Sequence, residues 1–397
     1  MVAYRAVGGS ATVGDAMSEA DHAPDGEKVE DNRGEQPGLD AYPLDALLIR
    51  TEPRAIQDVV RRIDRGAIKL DPDFQREFLW SEERQSRLVE SVLMRIPLPP
   101  FYLAESRDST LVVVDGLQRL TTFRRFRGGA LKLALPQNQE LHGKSFDKLE
   151  PRLQDRFDDG PLTFYLIDPK IPLRVRLDIF DRVNSGVPLT RQQMRNALFN
   201  GPATRALGDL ARSKEFLDAT SKALSSERLR QQRADREAIN RFFAYFVLGW
   251  NTYVDEAAEP GLAGNLDEFL GKALAHLNEP ANSRSLEEAR RGFQRSMQIN
   301  FQVFGRHCFR KHERPNDRMK AFNLALFDVF SVGLARYPAD RVDAARAEML
   351  RQGFYGLMQD SAFHNAISYA TAKTASVRAR FERAEAMLTG VLGAPAY

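Results

Sequence analysis

The residues best suited to chemistry in this chain fall together at Asp115-Gly116-Leu117-Gln118-Arg119, with Thr121 and Thr122 just behind. Four apolar residues, Leu111 to Val114, lead into them. The run is continuous and β-branched, so it reads as a buried strand. Leu117, Leu120 and Phe123 follow at near-helical spacing, which predicts a helix. Asp115 stands where an N-cap belongs, and Gly116 permits a tight turn. A strand that turns sharply into a helix presents unpaired backbone N–H groups and the positive end of a dipole. Such an end attracts an anion, above all a phosphate. Gln118 and Arg119 lie in the first helical turn, within reach of that ligand, and the two threonines add hydroxyls. The competing reading is an ordinary strand–turn–helix unit whose arginine is solvated.

Two other segments must position these residues. Asp71 to Trp80 carries Gln75-Arg76, and Ser81 then serves as the N-cap of a helix with Leu88, Val89, Val92 and Leu93 on its buried face. Ile96-Pro97-Leu98-Pro99-Pro100 ends that helix, and Phe101 to Ala104 reads as a strand. Phe180 to Phe199 holds the turn signal Asn184-Ser185-Gly186, and Thr190 with Gln193 forms a capping box that opens the next helix. Further strands are expected at 131–135 and 162–167, and a helix at 173–183. Ile56, Val59, Val60 and Ile63 place another helix within 53–68.

Taken in order, these segments resemble the N-terminal domain family of GmrSD-type modification-dependent restriction enzymes. The resemblance rests on Gln75-Arg76, Trp80, Ile96-Pro97, Asp115-Gly116, Gln118-Arg119-Leu120-Thr121-Thr122, Phe180, Arg182, Asn184, Gly186 and Leu189-Thr190. It covers about residues 42–201. One departure stands out: the family has Gln-Gln-Arg where this chain has Leu117-Gln118-Arg119. The resemblance implies an α+β, ParB/sulfiredoxin-like domain with a small mixed sheet, which binds and in some members hydrolyses a nucleoside triphosphate. It implies Asp115, Gln118 and Arg119 as catalytic residues. It also implies a nucleotide site of Gln75, Arg76, Asp115, Gly116, Gln118, Arg119, Thr121, Thr122, Arg182 and Asn184, with Mg²⁺ accompanying the nucleotide and metal ligands unknown.

Composition bounds the remainder. The chain has 397 residues, 57 Lys and Arg against 54 Asp and Glu, a net charge of +3 and one cysteine. That length suits two domains, and bulk charge does not mark a nucleic-acid binder. A single cysteine excludes disulfide scaffolding and cysteine-based zinc sites, and disfavours sulfiredoxin chemistry. No apolar run approaches a membrane span and no signal-peptide pattern opens the sequence, so a cytoplasmic protein is expected. Residues 1–40 read as a disordered tail, 41–201 as the α/β domain, and 202–397 as an all-α domain of six to eight helices broken at Pro280, Pro315 and Pro338.

Other chemistries find little support. Gly143-Lys144-Ser145 ends like a P-loop, but Asn138 stands where the first glycine is required. Asp168-Pro169-Lys170 has no Glu-x-Lys to complete a nuclease site. His307 and His312 flank Cys308 without a second ligand pair, and read as a solvated helix end. His364-Asn365 stands alone, so no His-Asn-His nuclease is legible after residue 202. Arg228, Arg230, Arg233, Arg236 and Arg241 form the densest basic run. They read either as a solvated surface or, for the first four, as a DNA-backbone patch. Two functions stay open: a nucleotide-binding and hydrolysing regulatory module of an anti-phage restriction system, or a non-catalytic scaffold of the same fold that binds DNA or a partner. A separate nuclease or effector protein is the expected partner, and self-association into a homo-oligomer is open.

Overall fold

The structure, a computed structural model, describes residues 29–31, 49–70, 80–105, 110–183, 190–258 and 261–396. Gln75, Arg76, Asn184 and Gly186 therefore lie outside the described residues. A two-residue strand, β1 (Val29–Glu30), comes first. The α/β half follows as β2 (Ile49–Ala55), α1 (Ile56–Asp64), β3 (Ile68–Lys69), α2 (Glu82–Leu93), β4 (Phe101–Glu105), β5 (Leu111–Asp115), α3 (Leu117–Arg127), α4 (Pro151–Asp158), β6 (Pro161–Ile167), α5 (Leu173–Val183) and α6 (Arg191–Leu198). Its five strands form one mixed sheet in the order β2-β6-β4-β5-β3. The pairs β2/β6 and β4/β5 are antiparallel, while β4/β6 and β3/β5 are parallel. The expected α+β class with a small mixed sheet is what the chain adopts.

Both faces of the sheet are covered, which explains why Leu111 to Val114 is apolar at every position. Leu111 and Val113 join Phe101, Leu103, Val89, Leu120 and Phe123 on the face covered by α1 to α4. Val114 joins Ala104, Ile167, Leu177, Phe180 and Met194 on the face covered by α5 and α6. The end of β5 is thus fixed by packing from two sides.

Several local expectations need correction. Asp115 is the last residue of β5 rather than an N-cap; that position belongs to Gly116, at φ +99°. Residues 131–135 are not a strand of the sheet. Leu131, Leu133 and Leu135 are buried in alternation, but Leu133 exchanges backbone bonds with Lys144 and Gly143, and Leu135 N–H donates to the His142 ring. The strand β2 carried no alternation signal because it is an edge strand, mostly exposed, with Pro53 inside it. The expected helix there begins only at Ile56, and Ile68 belongs to β3.

The second half is helical: α7 (Pro202–Ala211), α8 (Lys214–Ala219), α9 (Glu227–Gln231), α10 (Ala234–Val247), α11 (Trp250–Val254), α12 (Leu266–Asn278), α13 (Ser283–Phe304), α14 (Leu324–Ala335), α15 (Ala344–Gln359), α16 (Ser361–Ser368) and α17 (Thr374–Leu392). These exceed the expected number because α8, α9 and α11 span six residues or fewer, too short for a periodic pattern. A two-residue strand, β7 (Phe322–Asn323), pairs in parallel with β1, so part of the expected N-terminal tail is tied to this half. His307 and His312 are buried, not a solvated helix end. Their rings stack at 4.8 Å, and His312 stacks on Phe354 at 4.7 Å. Burial lowers the pKa of both imidazoles. No helix of the described residues is long and apolar enough to cross a membrane.

Candidate functional site

The site is built on the passage from β5 to α3. Gly116 is required there for two reasons. Its φ of +99° is one that L side chains rarely adopt, and a Cβ would lie 2.3 Å from Phe101 Cδ1. Leu120 N–H donates to Gly116 O at 2.9 Å, and no side chain caps the turn before it. The helix therefore starts on backbone alone, as the anion-site reading requires.

Arg119 does not point to solvent. One terminal nitrogen, Nη1, donates to Pro99 O. The other, Nη2, donates to Pro100 O at 3.1 Å and to Asp115 Oδ2 at 2.8 Å. The guanidinium also lies 4.2 Å over the Phe101 ring, with its side chain 11% exposed. Burial pulls its pKa below the ordinary value, and Asp115 partly offsets this. A planar fork with fixed donors suits this arrangement, in which one side chain ties the Pro-rich turn, the end of β5 and the first turn of α3 together. The Asp115 charge is correspondingly engaged by Arg119.

The other expected residues distribute unevenly. Gln118 shares the first turn, and its Oε1 is buried without a hydrogen-bond partner. Thr121 is half-buried one turn on. Thr122 is fully buried, and its hydroxyl donates to Gln118 O at 2.8 Å, so it serves the helix rather than the turn's open end. Arg182 is exposed near the end of α5. Asp115, Gly116, Gln118 and Arg119 are thus brought together, while Gln75, Arg76 and Asn184 fall outside the described residues.

Sequence reasoning missed the polar join that lies just past residue 189. Thr190 and Gln193 form the expected capping box, and Thr190 Oγ1 also donates to Gln232 O at 2.8 Å. Arg191 pairs with Asp178, Asp181 and Asp267. Arg195, fully buried, pairs with Asp267 and lies 3.6 Å from Glu237. Arginines four apart on one helix were the available signal, but their carboxylates come from α5, α10 and α12 and are not adjacent in sequence.

The basic run does not form one surface. Arg228 and Arg230 are exposed, Arg233 is half-buried at a left-handed φ, Arg236 is buried, and Arg241 is buried against Asp328. Asp235 also sits among Arg236, Arg233 and Arg230. Burial raises its pKa, and those arginines work against the shift. Among the described residues no group of three or more His, Cys, Asp or Glu side chains is placed to hold a metal ion.

The turn and sheet define an α+β domain with an uncapped helix start at the end of a central strand. Residues 56–200 match the family model of the GmrSD restriction endonuclease, N-terminal domain. No curated protein and no solved structure matches the chain.

Proposed function

We propose that the α/β half is the nucleotide-binding module of a restriction-type, anti-phage system, with the phosphates of a nucleoside triphosphate seated at the start of α3. The observation that carries this reading is the Gly116 turn, a left-handed, side-chain-free helix start at the end of a strand clamped from both faces. Backbone N–H groups and the helix dipole supply the attraction. Gln118 supports it through its side-chain Nε2, a donor in the same first turn that a phosphate oxygen can accept from; its buried, unpartnered Oε1 is an acceptor and calls for a ligand hydroxyl or amino group instead. In this reading Gly116 lets the phosphate approach, Gln118 Nε2 donates to it, and Arg119 holds the turn in shape.

Hydrolysis is a separate question. Arg119 is engaged by two carbonyls and Asp115, which favours a module that binds without turning over, or a scaffold for DNA or a partner protein. DNA cleavage in such a system falls to a separate nuclease, and the protein would act in the cytoplasm.

The test is calorimetric titration of the full chain with ATP, GTP, CTP and UTP, with and without Mg²⁺, repeated on Gln118→Ala. At least one triphosphate should bind. The variant should bind it about 3- to 10-fold more weakly, as expected for one lost hydrogen bond, without melting at a lower temperature. Binding by none of the four, or unchanged affinity in the variant, overturns the assignment.

A further inference from the structure

The core of the helical half contains an unbalanced charge. Arg241 on α10, Asp328 on α14 and Arg380 on α17 are each at most 1% exposed. Arg241 Nε donates to Asp328 Oδ1 at 2.8 Å, and its Nη2 donates to Oδ2. Arg380 Nη2 donates to the same Oδ2 at 3.1 Å. Two guanidiniums therefore face one carboxylate, and Arg241 Nη1 and Arg380 Nε are buried without a hydrogen-bond partner. Removing an ion from water costs several kcal/mol unless a countercharge is present.

The countercharge comes from the far end of the sequence. β1 lies parallel to β7, with Val29 opposite Phe322 and Glu30 opposite Asn323. Val29 packs against the helical core. Glu30 Oε2 sits 2.7 Å from Lys311 Nζ and accepts from Asn323 Nδ2 at 2.9 Å. The next residue is Asp31. Burial opposes the charge on Arg241, but Asp328 and then Asp31 raise its pKa well above the ordinary value. Asp31, which follows the strand paired to β7, therefore adds a second carboxylate acting on Arg241.

We propose that the helical half contains an acceptor site for a short acidic strand of the pattern apolar-Glu-Asp, filled by this chain's own Val29-Glu30-Asp31, which pairs with β7, meets Lys311 through its glutamate and offsets the Arg241 charge through its aspartate. Recognition is strand addition along β7, with Lys311 reading the glutamate and Arg241 reading the aspartate. The segment is an internal ligand that joins the N-terminal region to the helical half, and it does not depend on the nucleotide reading.

Two experiments test it on the full chain. In the first, a protease site is introduced between residues 32 and 48 and the folded protein is cut. The N-terminal fragment should stay bound and exchange with a labelled synthetic peptide of residues 24–36. A peptide carrying Asp31→Asn should bind about tenfold more weakly or worse. In the second, Asp31→Asn should lower the melting temperature of the intact protein but not of an Arg380→Met background, where the charge is already balanced. Release of the cut fragment together with no binding of the wild-type peptide overturns the proposal, as does equal binding of the wild-type and Asp31→Asn peptides. If Arg380→Met does not fold, the peptide experiment decides alone.

Discussion

Replacing Arg119 with alanine should lower the stability of the α/β half more than a loss of one surface charge would. The side chain is 11% exposed and donates to Pro99 O, Pro100 O and Asp115 while covering the Phe101 ring. Removing one partner of a buried pair costs about 3–5 kcal/mol, and a cation–π contact about 0.5–2 kcal/mol. Asp115 keeps 22% of its side-chain surface and recovers some hydration, and the terms are not additive. A net loss of about 3 kcal/mol is the working figure, equivalent to about 6–12 °C in a domain of this size. Lysine should recover only part, since it keeps the charge but not the fork that holds three acceptors. The assay is urea unfolding and thermal melting of wild type, Arg119→Ala and Arg119→Lys. A melting temperature within about 1 °C of wild type, with triphosphate binding abolished, would refute the clamp and restore Arg119 as a direct phosphate ligand.

Asp267→Asn should cost about 3–5 kcal/mol, because fully buried Arg195 loses the nearer of its two charged partners and Arg191 loses one of three. Denaturant melts should show it, and an unchanged midpoint would dismiss the join as passive. Burial raises the pKa of Glu268, opposed by the backbone N–H of Arg174. A raised folded value means the ionised carboxylate costs stability at neutral pH, and that cost fades as pH falls through the folded value and is gone below the unfolded one. Glu268→Gln should therefore be the more stable protein at pH 7, with the gap closing toward about pH 4; a gap that widens on acidification would contradict the sign. Exposed Arg228 and Arg230, replaced together by glutamate, should shift stability by about 0.5 kcal/mol or less while weakening any salt-dependent DNA binding seen in a mobility shift. Unchanged DNA binding would remove them from a nucleic-acid surface.

The sequence was most legible where one segment carries its own physics. The strand at Leu111 and the helix at Leu173 follow from apolar run and periodicity, and Ser81 and the Thr190–Gln193 box cap the helices they were expected to cap. Legibility failed where the partner is remote. Nothing near Arg119 announces that its acceptors are the carbonyls of Pro99 and Pro100, because a backbone oxygen leaves no mark in a side-chain pattern. Asp115 looked like a cap for the same reason: its carboxylate turns to Arg119 at i+4, and Gly116 takes the cap position through its φ. The arginines after residue 227 read as surface, solvated or DNA-facing, because adjacency in sequence hides that Arg236 and Arg241 face the core.

Hydrogen exchange at the Leu117, Gln118 and Arg119 amides, with and without the triphosphate that binds best in titration, tests the central claim most directly. If phosphate sits on the open end of α3, these first-turn amides should slow markedly on binding, while those of the β1–β7 pairing stay unchanged. Saturating triphosphate that leaves the three amides exchanging at their free rates would contradict the account.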